Sequence, residues 1–506
     1  MEKTKSKLMH AFYVLFAVCF TFILINVIFK NKYHETSYLV MVTILCVAGL
    51  CLIYKLLEKY EPFLEKNYNK ILIIFTVAMF VLEMVIGLAL RHDTWFDIGA
   101  VNQGAEEWVN TGTFAGYYEY FSYFPNNLGS MAFLYVFFKL ASFIGITDYY
   151  AIAVFIDSVM LVLSMALVSL ICRKFSASAR SGLFALTVFA VSAQFWFMAA
   201  ANYTDTMSML FPILIFWLYL KSKEKTGRDK LIFYLLTGLA AGVGGLIKFT
   251  VIIMVVAILI DLCFKDKIKE TLKAAVCVIG VIAVVMTCFN LYIYSSHLDK
   301  EIADANNTPF LHWTMMGLKD DGFYNPGDYE FTRALAPQNR NKALINQIGM
   351  RLKERGVLGI YDLIGKKSAA DFGDGTYGIS DFLNIYPEHD IALHDWVLYD
   401  GEHYSVYSHY VTSVHIAVMI FMLLAAYCFI FKKDKRREQM LAPYLAVFGI
   451  WLFLLCWETN RRYFSNFAPV IIMCGALGME TVMQTAANVM NGLKKKSTPK
   501  KKGKKK

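Results

Sequence analysis

The sequence predicts an all-α polytopic membrane protein with about twelve transmembrane helices, added juxtamembrane helices and an extracytoplasmic loop domain. Three observations predict it. Of the 506 residues, 57% are hydrophobic and only 18% charged, against about 25% charged in soluble proteins. Long apolar runs recur from residue 9 to residue 486, and about 20 apolar residues cross the hydrocarbon of a bilayer. Basic clusters punctuate those runs at intervals that alternate sides.

The elements follow in order. The segment MEKTKSK precedes an apolar run that continues to Phe29, with no small-residue cleavage site after it. It reads as a retained helix, not a leader. Residues 1–7, 55–70, 173–180, 221–230 (KSKEKTGRDK), 265–273 and 431–437 (FKKDKRR) and the C-terminal tail carry the basic clusters and belong in the cytoplasm. Spans then fit 9–29, 38–54, 71–90, 150–172, 181–200, 206–221, 231–246, 248–264, 273–293, 410–430, 443–457 and 464–486, with both ends inside. The run at 128–146 is apolar enough to span, but doing so would put Arg173 and Lys174 outside or flip everything downstream. It is placed as a re-entrant or juxtamembrane helix on the outer side; the alternative is a true span compensated elsewhere. The organisation is two N-terminal helices (1–70), a core (71–293) with a first outer loop at 91–127, an outer loop domain (294–409), C-terminal helices (410–486) and a basic cytoplasmic tail (487–506).

The net charge of +10 does not point to nucleic acid. Nine lysines lie in the last thirteen residues, KKKSTPKKKGKKK, and this tail lacks the aromatic interleaving and folded platform of a nucleic-acid site. It suits anionic lipid. The loop domain holds seventeen Asp/Glu against ten Lys/Arg, the contrast that an outer location requires. The ten cysteines all fall in apolar runs and form neither a disulfide framework nor a CxxC metal site.

Polar residues gather on the outer side. Asp97 opens the segment DIGAVNQGAEEWVN, which places Ile98, Val101, Ala105, Trp108 and Val109 near one helical face, the pattern of a helix lying in the interface. Asp205 lies in the outer turn ANYTDTMSML, Lys248 in GVGGLIKFT, and Glu458, Arg461, Arg462 and Tyr463 in WETNRRYFSNFAP. Arginines at an outer helix end break the positive-inside bias and imply an acidic partner. Taken singly, Asp97 and Asp205 read as helix caps, Lys248 as a snorkelling side chain, and Arg461 and Arg462 as partners of Glu458. Taken together, two carboxylates and several cations at one membrane face suit a phosphate leaving group and a nucleophilic hydroxyl: a carboxylate takes the acceptor proton, and cations neutralise the phosphate. A lipid-linked phosphosugar fits such a surface.

These residues, with YFSYFPNN at 120–127, the YTD at 203–205, the lysine turn at Lys248, HWTMMGL at 312–318 with the DGFYNPGDY that follows, and the E…RRY at 458–463, resemble the GT-C superfamily of integral-membrane glycosyltransferases. The resemblance covers residues 71–486 and is to members like protein O-mannosyltransferases and aminoarabinose transferases (glycosyltransferase family 39-like). It implies the GT-C fold, and Asp97 as catalytic base with Asp205 as an auxiliary carboxylate that positions the acceptor or a metal. It implies a polyprenyl-phosphate sugar donor, an inverting reaction and a first outer loop with two juxtamembrane helices. Lys248, Arg461 and Arg462 would hold the donor phosphate. Tyr123, Asn126, Asn127, His312, Trp313 and Glu458 would line the substrate site. The acceptor would be a cell-envelope wall polymer, glycolipid or protein, and the site would face outward from the cytoplasmic membrane. Some relatives need a divalent cation such as Mg or Mn; no cluster here names its ligands. Two departures matter. The Asp-Glu pair of several relatives is absent, so Asp93, four residues before Asp97, is a rival base; and the lysine-proline-proline motif of aminoarabinose transferases is replaced by FPNN. His312 and Trp313 either contact sugar or pack the loop. The rival class is a transporter or flippase of lipid-linked sugars, which expects mid-membrane charge, for which Asp157 is the candidate; a weaker reading is an envelope-assembly scaffold.

Overall fold

The computed structural model describes residues 2–383, 387–431 and 436–497; the expected basic tail lies outside the described residues beyond 497, as do four positions of FKKDKRR. Every regular element among the described residues is helical. Their order is α1 (Glu2–Phe29), α2 (Thr36–Lys59), α3 (Glu61–Ala89), α4 (Phe96–Thr111), α5 (Tyr118–Tyr123), α6 (Leu128–Phe143), α7 (Tyr149–Ser176), α8 (Ala179–Val191), α9 (Gln194–Phe197), α10 (Thr204–Met207), α11 (Leu210–Lys223) and α12 (Gly227–Ile247). Then come α13 (Ile252–Lys265), α14 (Ile268–Ser296), α15 (Lys300–Asn306), α16 (Phe310–Met316), α17 (Pro326–Ala334), α18 (Pro337–Phe372), α19 (Ile379–Leu383), α20 (His394–Val397), α21 (Tyr404–Phe431), α22 (Arg436–Gln439), α23 (Leu441–Cys456) and α24 (Ala468–Ser497).

All twelve expected spans are helical, but they are not alike. Eight helices among the described residues are long and apolar enough to cross a membrane, and a ninth span results if α8 and the segment Gln194–Ala200, bent by 66° from it, are counted together. The remaining three, α11, α13 and α23, have 14, 14 and 16 residues. At about 1.5 Å per residue they reach about 21–24 Å, short of the roughly 30 Å of hydrocarbon. Each stops where the chain turns polar: α11 follows the Asp205 segment, α13 follows Lys248, and α23 ends just before Glu458. The polar breaks that bound the short helices bring Asp205, Lys248 and Arg462 together.

The two ends of the bundle differ in charge. At one end Arg173 pairs with Glu65, Arg180 with Glu58, and Lys223 with Asp266, so the basic clusters at 55–70, 173–180, 221–230 and 265–273 meet there. The opposite end carries α4, α5 and the helices α15–α20, with Lys32 and Lys366 both on Asp321. The 128–146 run becomes α6, a 16-residue helix packed on α4 and α12. The first two helices are built into the C-terminal core: Tyr13 and Phe16 of α1 meet Tyr444 of α23 at 5.4 and 4.7 Å between ring centroids, and α2 packs on α21. Helices α3 and α7 approach at Gly87, where a Cβ would lie 2.6 Å from a Val154 methyl; a larger residue would push the two helices apart.

Candidate active site

Helix α4 lies as its periodicity predicts: Ile98, Val101, Ala105, Trp108 and Val109 are all buried, and Gly112 ends the helix in the left-handed conformation. Asp97 sits in its first turn, where unsatisfied N–H groups favour negative charge. The Tyr120 hydroxyl donates to Asp97 Oδ1 at 2.7 Å, and Asn127 Nδ2 donates to the Tyr120 oxygen at 2.6 Å. Among the described residues no hydrogen bond reaches the other Asp97 oxygen. Within electrostatic reach of this carboxylate are Tyr203, Glu458 and Arg462. Phe96, directly before it, has φ of 48°, a left-handed conformation that a bulky side chain rarely adopts. Asn202, three residues before Asp205, has φ of 47°, and Tyr377, between Asp374 and Asp381, has φ of 54°. Such residues cost about 1–3 kcal/mol each and cluster at functional sites.

Asp205, with a side chain 2% exposed, takes Lys248 on one oxygen and Arg462 at 2.8 Å on the other. Burial pushes its carboxyl up, but the two cations outweigh burial and hold it below the usual carboxylate range. The guanidinium of Arg462 is stacked among Tyr203, Phe382 and Tyr463 at 5.0–5.5 Å, which fixes its plane. Two cations against one carboxylate leave this cluster net positive. Its lysine comes from the α12–α13 break, its arginine from the α23–α24 loop and its carboxylate from α10, three positions far apart in sequence.

Glu458 is buried; Oε1 accepts from the Tyr463 hydroxyl and Oε2 has no partner among the described residues. Burial pushes its carboxyl up to about 7, with the Asp97 charge adding to the rise and Tyr463 and Arg462 opposing it. Behind it, Lys367 of α18 donates to the carbonyls of Trp457 and Gly317. Asp371 accepts from the Asn460 N–H at 3.1 Å.

Arg461 points elsewhere. It donates to Asp374 at 3.0 Å, to Asp381 at 2.7 and 3.1 Å, and to the Tyr399 hydroxyl, and its guanidinium stacks on Tyr33 from the α1–α2 turn at 5.0 Å. With those donors on protein acceptors, it holds the 374–381 loop.

The remaining expected residues divide. Tyr123 lies under Arg333 at 4.1 Å and accepts at its carbonyl from the Thr308 N–H, which ties the first outer loop to the second. Asn126 is exposed and donates to Asn127 at 3.2 Å. His312 is fully buried, shares a 2.7 Å hydrogen bond with Thr332 through Nδ1, has no partner at Nε2 among the described residues, and burial pulls its imidazole down to about 4. Trp313 stacks on Trp457 at 5.6 Å. Asp93 is exposed, beside His92, and outside this network. Tyr120, Asn202, Asp374 and Asp381 are site-lining or supporting residues that the sequence reading did not single out; no spacing marks them. Another is Glu83 of α3, which lies within electrostatic reach of Asp157 of α7; both are fully buried, and neither Glu83 oxygen has a hydrogen-bond partner among the described residues, while the Asn202 backbone approaches Asp157. No group of three or more His, Cys, Asp or Glu able to hold a metal ion occurs among the described residues.

The model of a family described as conserved hypothetical integral membrane protein matches residues 1–483. No curated protein matches the sequence. Among solved structures, the chain is similar to ArnT from Cupriavidus metallidurans bound to undecaprenyl phosphate, at 14% identity over 85% of this chain and 81% of that one, with a TM-score of 0.37.

Proposed function

The chain belongs to the conserved hypothetical integral membrane protein family, and within it we propose an inverting GT-C glycosyltransferase that moves a sugar from a polyprenyl-phosphate donor to a cell-envelope hydroxyl at the outer face of the cytoplasmic membrane. The observation that carries this reading is Asp97: one oxygen is fixed by Tyr120, no hydrogen bond among the described residues reaches the other, and the carboxylate lies within electrostatic reach of Arg462 in a net-positive Asp205–Lys248–Arg462 cluster. The acceptor oxygen attacks the anomeric carbon while the bond from that carbon to the phosphate oxygen breaks. The acceptor proton passes to the free oxygen of Asp97. The departing polyprenyl phosphate keeps the bonding electrons, and Lys248 and Arg462 neutralise it. Asp205 orients both cations. Attack opposite the leaving phosphate inverts the anomeric centre.

The test is transfer of labelled sugar from polyprenyl phosphate to cell-envelope acceptor by the purified chain, wild type against Asp97→Asn. The variant is expected to lose about 10²–10⁴-fold in rate, with Asp93 intact. Equal rates would sink the assignment. A flippase is the second reading, favoured by the buried Glu83–Asp157 pair inside α3 and α7. It predicts movement of the lipid-linked sugar without transfer, lost in Asp157→Asn and kept in Asp97→Asn.

A further inference from the structure

Helix α18 is polar on average, yet its middle exposes a run of apolar side chains. At Gly356 the backbone adopts φ of 58° and ψ of −176°, a conformation open in practice to glycine alone, and the helix breaks into two arms. Around this elbow Leu352, Val357, Leu358 and Tyr361 are 44, 86, 82 and 60% exposed. Leu352, Lys353, Gly356, Val357 and Ile360 line an open hollow of about 360 Å³.

The second arm gives the elbow a depth. Tyr361 lies 5.3 Å from Phe22 of α1 between ring centroids, and Gly365 sits against Asn26. Helix α1 is one of the eight long apolar helices and ends at Phe29. Phe22 lies seven residues inside that end, or about 10 Å at 1.5 Å per residue. Tyr361 thus stands beside the outer part of a membrane span, with Val357 and Leu358 about one helical turn before it in the same arm. Asp362 and Lys30, at 2.7 Å, pair across the same contact. Lys353 on the hollow's rim is placed to keep its stem on apolar surface and its ammonium among headgroups.

We propose that the Gly356 elbow is an interfacial anchor seated in the bilayer, its four apolar side chains among phospholipid acyl chains and Lys353 at the phosphate level. The first arm links that seat to the helices beside Asp97. Arg351 holds Asp328 through two 2.7 Å hydrogen bonds and the Met315 carbonyl at 2.6 Å, and Arg355 holds the Leu318 carbonyl at 2.7 Å. These contacts fix α16 and α17, which carry Trp313 and Tyr329, and Tyr329 lies within electrostatic reach of Asp97.

The full chain in phospholipid vesicles tests this through Leu358→Cys carrying a bimane label, with the wild-type chain labelled in parallel to subtract native thiols. The control is Asp390→Cys, at a fully exposed side chain. Leu358 makes little packing contact, so the replacement leaves the fold intact. Brominated phospholipid is expected to quench the 358 label at least about threefold more than the 390 label, and aqueous iodide the reverse. Equal iodide quenching at both positions overturns the proposal. So does shielding of position 358 from iodide without quenching by brominated phospholipid, since a protein would then cover the elbow. Neither readout depends on sugar transfer, so the anchor stands or falls apart from the catalytic reading.

Discussion

Arg461 and Arg462 are neighbours in sequence and opposites in structure. Arg461 is engaged by Asp374, Asp381, Tyr399 and Tyr33, partners contributed by the 374–381 loop, the α20–α21 segment and the α1–α2 turn. Arg462 commits one nitrogen to Asp205, is flanked by aromatic rings, and faces Asp97. The same residue type serves as a clasp at one position and as an electrostatic surface at the next. What decides is how many acceptors the surrounding elements bring, since a guanidinium with five donors is spent only when carboxylates and hydroxyls meet most of them.

That contrast predicts a crossed pattern, largest where Arg462 is lost. Arg462→Ala is expected to lower the rate of sugar transfer about 10²–10³-fold, because one phosphate-facing donor disappears from a water-poor site. Asp205 keeps Lys248, so thermal stability changes less than activity. Arg461→Ala is expected to behave the other way. It removes the cation from Asp374, which is 1% exposed at its side chain and keeps only the uncharged Thr376 donors as hydrogen-bond partners among the described residues, and breaking a buried pair costs about 3–5 kcal/mol. Melting temperature in detergent falls sharply, while transfer per folded molecule stays within about twofold of wild type. Paired melting curves and initial rates on the two variants check both halves. Equal activity losses at matched stability would erase the distinction between the two arginines.

The same contrast marks where sequence reasoning runs out. The apolar runs and the face of α4 were legible because each depends on local period: Ile98 and Trp108 are buried for reasons visible within fourteen residues. The gathering of Asp205, Lys248 and Arg462 was legible only as a shared side, through alternation of charge. Their ion pairing was not, because it depends on three helices stopping short at polar breaks. Arg461 could not be separated from Arg462 by adjacency; its partner Asp374 lies 87 positions away. Glu83 was hidden in the apolar run LEMVI, and only the close approach of α3 and α7 at Gly87 sets it opposite Asp157. Within the YFSYFPNN motif it is Tyr120, held by Asn127, that reaches Asp97, while Tyr123 and Asn126 bond elsewhere.

The smallest expected effect belongs to Glu458, which lies just before the two arginines and supplies a titration to compare with the permanently charged pair. Its carboxyl ionises near 7 in the folded chain, raised chiefly by burial, and near its ordinary value of about 4.3 in the unfolded chain. Between those values the folded state binds more protons than the unfolded state, so stability falls as pH rises across that window and levels off above it. Glu458→Gln removes the titration. The difference in melting temperature between variant and wild type, followed from pH 5 to 8, is therefore expected to grow in the variant's favour up to about pH 7 and then flatten. A difference that stays constant over that range would mean that Glu458 is already ionised at pH 5. The carboxylate beside Arg462 would then be held by the cation, as Asp205 is, and burial would not be the dominant influence on this side of the site.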